Sequence, residues 1–242
     1  TAGNDKTARV WVLSDGHELA RISHGDSVGS IMFSPDGRYL ITMTGASHRF
    51  DPDWRGSSTV SLWDMINKKD FFLIRHGDRV NQIAFSNNGR YMATASEDKT
   101  VQVYDLHRGR LVAKLSHEAE VNSVVFSPDD RYLATASSDK TARVWLIPEG
   151  REISRVTHEA DVFRVSISRD GKYLSTASMD GTARRWLLDH EEMRKRVCAR
   201  LTRNLTVKEW RQYVGSEPYR PTCPGLPDPT KMTGKAKRST GR

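Results

Sequence analysis

Cysteine is scarce in this sequence, with two residues in 242. No apolar run approaches the roughly 20 residues that a membrane-spanning helix needs. Two cysteines cannot build a disulfide framework for a chain of this size, which favours a reducing, cytoplasmic environment. The sequence also lacks a His-x-x-x-His motif and a glycine-rich phosphate-binding loop. These absences exclude the common signatures of zinc peptidases and nucleotide-binding enzymes, and we expect no catalysis, no metal and no cofactor.

The positive charge is concentrated at one end of the chain. The formal net charge is +8, and residues 189–242, with 13 basic and 6 acidic side chains, contribute +7 of it. The last twelve residues carry five bases and no acid, so residues 231–242 are predicted to form a disordered basic tail. Such a tail can contact nucleic acid or a membrane, but a solvated tail is the favoured interpretation.

A fixed period runs through the rest of the chain. Histidine recurs at one longer step and then at two equal steps, at His24, His76, His117 and His158. An aromatic residue recurs at one longer step and then at three equal steps, at Trp11, Trp63, Tyr104, Trp145 and Trp186. The longer step has the same excess length in both series and falls between the same two repeats. This coincidence indicates one insertion in a period of about 41 residues.

Each period contains four short β-prone runs rich in Val, Ile, Tyr and Trp, separated by turns such as Pro-Asp, Asp-Lys and Glu-Gly. This pattern predicts an all-β propeller of four-stranded antiparallel blades over residues 1–188. Residues 5–23 supply two strands of a first blade, residues 161–188 supply three strands of a last one, and three complete blades lie between. Because an open ring leaves unpaired strand edges, we expect the chain to be the C-terminal piece of a longer polypeptide.

The recurring pieces are His-Gly or His-Glu, Phe-Ser-Pro-Asp-Gly-Arg-Tyr-Leu, Ala-Thr-Ala-Ser-x-Asp-Lys-Thr and Val-Trp. In these pieces the sequence resembles the WD-repeat family of β-propellers. The resemblance implies a buried hydrogen-bond network of His, Ser or Thr, Asp and Trp in each blade. The implied members are His24, Thr44 and Trp63; His76, Ser96, Asp98 and Tyr104; His117, Ser137, Asp139 and Trp145; and His158, Ser178, Asp180 and Trp186.

The alternative interpretation of these residues is a Ser-His-Asp catalytic triad. A nucleophile is needed once, in one cleft, whereas this set recurs in every blade. We therefore interpret the set as structural.

WD-repeat proteins often bind partners on the rim formed by the connections before the first strand and between the second and third strands. By matching position, the predicted partner-binding residues are Ser27, Gly29, Arg79, Asn81, Glu97, Glu120, Asn122, Ser138, Asp161, Phe163 and Met179. The set varies from blade to blade while the scaffold residues repeat, as a specific recognition surface requires, although free drift of exposed positions would give the same pattern.

The insertion should rise from the same rim. It contains Arg49, Trp54 and Arg55, residue types that are enriched at binding hot spots. It also removes the turn aspartate and leaves Thr44 at the serine position, so the network of this blade is expected to be incomplete. A loop packed on its own blade is the alternative.

After the repeats, residues 189–230 are predicted to form a helical extension. Glu191–Leu201 has Met193 and Val197 on one helical face, and Thr206 with Glu209 forms a capping box for a second helix. The two cysteines, Cys198 and Cys223, can lie close together once the second helix folds back, but unlinked, buried thiols are the favoured interpretation in a reducing cell.

Residues 197–224 also resemble the closing segment of large bacterial WD-repeat proteins. In such proteins the propeller is joined to an upstream effector, such as a STAND-type NTPase, a kinase or a caspase-like protease.

The sequence therefore predicts a non-catalytic protein-interaction, scaffold or sensor module of a larger bacterial signalling protein, with a protein or peptide partner on its rim. One alternative is the regulatory propeller of an enzyme whose catalytic domain lies upstream. A second alternative is a nucleic-acid contact through the basic tail, which added salt would weaken steeply.

Overall fold

The computed structural model describes residues 1–45, 58–188, 190–213, 216, 218–223 and 225–227. The chain divides into two compact units, Thr1–Trp186 and Leu187–Arg242. The first unit contains the repeats and the second the C-terminal extension.

The strands of the first unit form five antiparallel sheets, which we number as blades 1 to 5. Blade 1 consists of β1 (Thr7–Trp11) and β2 (Glu18–Ser23). Blade 2 consists of β3 (Val28–Phe33), β4 (Tyr39–Thr44), β5 (Thr59–Asp64) and β6 (Lys69–Arg75). Blade 3 consists of β7 (Val80–Phe85), β8 (Tyr91–Ser96), β9 (Thr100–Asp105) and β10 (Arg110–Ser116). Blade 4 consists of β11 (Val121–Phe126), β12 (Tyr132–Ser137), β13 (Thr141–Leu146) and β14 (Arg151–Thr157). Blade 5 consists of β15 (Val162–Ile167), β16 (Tyr173–Ser178) and β17 (Ala183–Leu187).

This order confirms the predicted all-β propeller with a partial first and a partial last blade. Each complete blade is a meander in which consecutive strands pair antiparallel. The same register irregularity recurs near the start of the first strand, between Val80 and Gln82 in blade 3 and between Val121 and Ser123 in blade 4. The period of the sequence is therefore also a period of backbone geometry.

The hydrophobic core lies between neighbouring blades. The second strands, β8 and β12, are the most deeply buried, and their small residues allow close packing of the sheets. One cluster, which includes Ile41, Leu62, Ile83 and Met92, joins blades 2 and 3. Another cluster, which includes Val101, Val124 and Trp145, joins blades 3 and 4. Each blade thus buries its apolar faces against the next one.

The second unit contains two short helices, α1 (His190–Cys198) and α2 (Val207–Tyr213). The first helix ends at Cys198, before the predicted end at Leu201, and its predicted apolar residues Met193 and Val197 are exposed. The capping box is present, since Thr206 N–H donates to Glu209 over 2.8 Å and Glu209 N–H donates to Thr206 Oγ1 over 3.2 Å. In the part of the chain that the structure describes, no helix is long and apolar enough to cross a membrane.

The expectation of unlinked cysteines is wrong, because Cys198 and Cys223 form a disulfide with a Cα–Cα distance of 5.3 Å. The side chain of Asn204, which is 1% exposed, holds the second cysteine in place. Its Oδ1 accepts from Cys223 N–H at 2.9 Å and its Nδ2 donates to the Cys223 carbonyl at 3.2 Å. The number of cysteines indicates a cellular environment, but it does not determine whether two cysteines that the chain brings together form a bond. A disulfide is typical of oxidising compartments, so a cytoplasmic location stays a prediction.

Candidate functional site

A chain of hydrogen bonds runs through blade 4. The indole N–H of Trp145 donates to Thr135 Oγ1 over 2.9 Å, and this oxygen lies 2.8 Å from His117 Nε2. On the other side of the imidazole, Nδ1 lies 2.9 Å from Asp139 Oδ2. The guanidinium of Arg143 donates to the same carboxylate oxygen at 2.7 Å. The chain thereby connects β12, β13, the turn between them and the segment that precedes β11.

The protonation states follow from this geometry. Burial lowers the pKa of His117, although its bond to Asp139 acts in the opposite direction, so the imidazole is neutral near pH 7. Burial opposes ionisation of Asp139, but hydrogen bonds from His117 and Thr141 outweigh this effect and hold the pKa of its carboxyl far below the usual range. A neutral ring that donates from Nδ1 and accepts at Nε2 satisfies both of its partners.

Blades 3 and 5 repeat the arrangement. The Nδ1–carboxylate distances are 2.9 and 3.1 Å, and the Nε2–hydroxyl distances are 2.7 and 2.8 Å. The residues are His76, Asp98 and Thr94 in blade 3, and His158, Asp180 and Thr176 in blade 5. The network is thus a property of the repeat.

The predicted serines lie beside the network and not between its members. Ser137 Oγ donates to the carbonyl of Ala119 at 3.1 Å and accepts from Asp139 N–H at 3.1 Å. Ser96 and Ser178 make the equivalent contacts. Each serine therefore holds the backbone of the turn, and in these three blades the imidazole bonds to threonine instead. This geometry does not pair a serine nucleophile with a histidine base.

The threonines that bridge histidine and tryptophan were missed by sequence reasoning. They and their blade 2 counterpart follow the four histidines at a constant spacing, at Thr42, Thr94, Thr135 and Thr176. This constant spacing was the available signal. In the Ala-Thr-Ala-Ser strands the role was missed because a β-branched residue such as threonine is common in any strand.

Tyr104 does not take the role predicted for it. Its hydroxyl donates to Gln102 Oε1 at 2.5 Å, whereas the indole of Trp145 reaches the bridging threonine. The phenol oxygen projects further from the strand than an indole nitrogen does, so it bonds to the nearby side chain of Gln102 on its own strand. Gln102 in turn donates to the carbonyl of Arg75 at 3.1 Å.

Blade 2 lacks the network, as expected from its insertion. His24 Nε2 and Trp63 Nε1 are buried without a hydrogen-bond partner among the described residues, and so is Ser58 Oγ. The hydroxyl of Thr44 bonds to that of Thr59. The insertion itself, with Arg49, Trp54 and Arg55, lies outside the described residues, as does the basic tail 231–242.

The predicted rim residues meet in pairs. In blades 3, 4 and 5 a backbone N–H of the turn between the second and third strands donates to a carbonyl before the first strand. The pairs are Glu97 with Arg79 at 2.8 Å, Ser138 with Glu120 at 2.9 Å and Met179 with Asp161 at 2.8 Å. In blade 2, Ser27 is half-buried and Gly29 is exposed.

Two rim asparagines face the neighbouring blade. The amide of Asn81 donates to the carbonyl of Val121 at 3.1 Å, and that of Asn122 donates to the carbonyl of Val162 at 3.0 Å. Phe163 occupies the equivalent position in blade 5, where it is 43% exposed. These contacts occupy the two asparagine amides and narrow the predicted binding surface of blades 3 and 4 to the paired positions.

Four repeats of the family described as WD domain, G-beta repeat match residues 16–64, 68–105, 109–145 and 151–186. The chain belongs to the WD-repeat family. The matched residues coincide with blades 2 to 5 and with the outer part of blade 1.

Individual relatives among the curated WD-repeat proteins match over part of the chain. The alignment with nuclear distribution protein PAC1-2 of Uncinocarpus reesii is 29% identical over a length of 121 residues and covers 45% of this chain and 26% of that protein. Target of rapamycin complex subunit wat1 of Schizosaccharomyces pombe is 32% identical over 110 residues, 44% of this chain and 31% of that protein. A coronin-like protein of Saccharomyces cerevisiae is 27% identical over 89 residues, 37% of this chain and 12% of that protein. Each match spans less than a third of the relative's length.

Proposed function

We propose that the WD-repeat unit is a non-catalytic interaction module that binds a protein or peptide partner through its rim. The observation that carries this proposal is the contrast between a constant frame and variable ends. Each of blades 3, 4 and 5 fixes its turn with the same His–Asp pair and the same backbone bond. The paired rim positions nevertheless differ in charge and polarity, as a surface that recognises one partner must.

Met179 is the apolar anchor of this surface. Its side chain is 70% exposed, and its backbone N–H is held by the carbonyl of Asp161. In the equivalent turn of blade 3, Glu97 lies 3.7 Å from Arg79 in an ion pair. A rim with an exposed methionine in one blade and an ion pair in another suits a partner that buries one apolar side chain inside a polar border.

The names of two relatives agree with such a role. One is a subunit of a complex, and the other is a nuclear distribution protein. From the resemblance of residues 197–224 we also propose that this module is joined to an upstream effector in a bacterial signalling protein. An intact gene product with a mass far above the 27.4 kDa of this chain would support this link, and one of the same mass would contradict it.

The rim can be tested by photocrosslinking. A p-benzoylphenylalanine residue at position 179 should give covalent adducts with a partner protein in cells of the source organism. Ile66 provides the matched control, because it is 72% exposed but lies in the turn between the third and fourth strands, at the other end of the blades. Equal adducts from both positions, or adducts from position 66 alone, would contradict binding at the rim.

The substitution Met179→Asp then tests the anchor. It should weaken capture of the crosslinked partner at least tenfold, whereas Ile66→Asp should leave capture unchanged, with both variants retaining the wild-type thermal midpoint. Unchanged capture by Met179→Asp would remove this residue from the interface.

A further inference from the structure

Blade 2 contains an open cavity of about 530 Å³ with both polar and apolar lining residues, the apolar ones being Phe72 and Leu73. Its lining includes Ser23, His24, Thr59, Ser61 and Asp70. These residues come from the end of β2, the segment before β3, and strands β5 and β6. The cavity is therefore built from the repeat itself, beside the open end of the blade 2 network.

The position of Ser61 accounts for the cavity. Counting along the repeat, Ser61 corresponds to Arg9, Gln102, Arg143 and Arg184 in the other blades. Each of these long side chains lies across its blade toward the turn aspartate or the neighbouring backbone. In blade 2 the residue is small, so the described residues do not fill the volume that a guanidinium or carboxamide fills elsewhere.

Blade 4 shows which groups surround a guanidinium at this position. Arg143 is 4% exposed, its Nε donates to Thr141 Oγ1 at 3.1 Å, and one Nη donates to the carbonyl of Ser116 at 3.2 Å. The same Nη lies 3.5 Å from Glu152. With Asp139, which accepts at 2.7 Å, four partners thus hold the planar cation.

Blade 2 retains the counterparts of three of these four partners, whereas the insertion has removed the counterpart of Asp139. Thr59 corresponds to Thr141, the carbonyl of Ser23 to that of Ser116, and Asp70 to Glu152. All three residues line the cavity. A hydroxyl that bonds to one neighbour still has acceptor capacity, so the contact between Thr59 and Thr44 leaves room for a donor.

We propose that the blade 2 cavity binds a guanidinium group supplied by an arginine side chain of a partner. The arginine enters from outside the repeat and takes the place that Arg143 holds in blade 4. This inference rests on the proposed interaction role for the source of the arginine, while the chemistry of the cavity stands on its own.

The arrangement of acceptors, and not the net charge, favours a guanidinium at this place. Asp70 and Arg75 both line the cavity, both are exposed, and solvent screens both charges. His24 is kept neutral near pH 7 because burial lowers its pKa. A planar guanidinium reaches several fixed acceptors at once, which an ammonium cannot do.

The chemistry can be tested on the full chain with ethylguanidinium as the probe and amide NMR shifts as the readout. The amides of Thr59, Ser61 and Asp70 should shift saturably, whereas those of Thr141 and Arg143 in blade 4 should stay unchanged as internal controls. Ethylammonium should bind at least about fivefold more weakly, because it lacks the planar fork of donors. No saturable shift, or a shift with acetate in place of ethylguanidinium, would overturn the proposal.

The variant Ser61→Arg should fill the cavity from within and weaken ethylguanidinium binding at least tenfold. Ile66→Arg adds the same charge to an exposed turn of the same blade and should bind as the wild type does. Equal binding by Ser61→Arg and wild type would show that the probe lies elsewhere. Met179 lies in blade 5 and the cavity lies in blade 2. Met179→Asp should therefore leave probe binding intact even if it abolishes partner capture.

The source of the guanidinium is tested with N-acetyl-Gly-Arg-Gly-amide. This peptide should shift the same amides at least as strongly as ethylguanidinium, and its lysine analogue should not. Binding of ethylguanidinium without the peptide would indicate a free guanidino compound and overturn a partner's arginine. Binding that appears only after Arg49 and Arg55 are changed to alanine would assign the cavity to this chain's own insertion, with the same consequence.

Discussion

Blades 2 and 4 have the same strand order and register, but they differ in the polar side chains at their ends. In blade 4 the rim end is closed by Trp145, Thr135, His117 and Asp139. At the other end both blades have a Ser–Asp hydrogen bond in the first turn, and blade 2 adds Asp64, which accepts hydrogen bonds from the backbone of Ile66 and Asn67 and from Arg38. Blade 4 has Leu146 at the position of Asp64.

Among the described residues, blade 2 thus keeps its strand pairing with the Asp64 clasp but without the His–Asp network of blade 4. Strand pairing in blade 2 runs from Thr44 opposite Thr59 to Tyr39 opposite Asp64, although His24 and Trp63 lack side-chain partners among the described residues. A buried polar group without a partner costs about 1–3 kcal/mol, so the open end of blade 2 is the less stable end. A ligand that restores the missing partners there gains the same free energy.

The largest effect is expected from Asp139→Ala in blade 4. The change removes the acceptor of His117 and leaves the buried guanidinium of Arg143 without its nearest carboxylate, which costs about 4 kcal/mol of unfolding free energy. Urea denaturation followed by tryptophan fluorescence measures the loss. Asp180→Ala in blade 5 is the control and should cost less, because Arg184 is 36% exposed and can be solvated. Equal losses in the two blades would mean that burial of the cation is not the cause.

A second prediction compares an isosteric change in the two blades. Thr135→Val leaves the ring nitrogens of His117 and Trp145 without their shared partner and should cost about 3 kcal/mol. Thr42→Val in blade 2 should cost less than about 1 kcal/mol, because the Thr42 hydroxyl makes a long contact to a carbonyl, at 3.5 Å. The urea midpoints of the two variants measure both losses of unfolding free energy. A loss for Thr42→Val as large as that for Thr135→Val would show that blade 2 has a closed network.

The sequence was sufficient for the architecture because the repeat is regular. Its period predicted the strand order and both partial blades, and the resemblance to WD-repeat proteins implied each His–Asp pair. It was not sufficient for partners that depend on side-chain reach. The hydrogen bond of Tyr104 to Gln102, and those of Thr135 to the rings of His117 and Trp145, depend on how far each side chain extends from its strand. The disulfide between Cys198 and Cys223 depends on how the side chain of Asn204 positions Cys223. The number of cysteines in the sequence does not predict that position.

Acid should weaken the clasp at the other end of blade 2 in a defined pH range. Burial opposes ionisation of Asp64, but hydrogen bonds from Asn67 and Ile66 outweigh it and lower the pKa to about 2 from the usual 3.8. A depressed folded-state pKa means that the stabilisation is complete above the unfolded-state pKa and is lost as the pH falls toward 2.

Asp64→Asn should therefore cost about 2 kcal/mol at pH 7, since hydrogen bonds to a charged group are lost. It should also flatten the decline of the urea midpoint between pH 4 and 2. The decline that begins below about pH 6.5 should persist in this variant, because it arises from histidines such as His117 whose pKa is lowered by burial. An unchanged profile between pH 4 and 2 would exclude Asp64 as a source of acid sensitivity.

The smallest effect is expected from Arg143→Gln, which gives blade 4 the side chain that blade 3 has at Gln102. In blade 3, Asp98 has no arginine at this position, yet it keeps hydrogen bonds from His76, Thr100 and the N–H of Gly77. Asp139 retains the same three kinds of donor after the change, so the loss should be about 1 kcal/mol. A loss as large as that of Asp139→Ala would make the ion pair the main support of the carboxylate. A guanidinium in the cavity beside Ser61, where the insertion has removed the turn aspartate, would then be held more weakly than Arg143 is in blade 4.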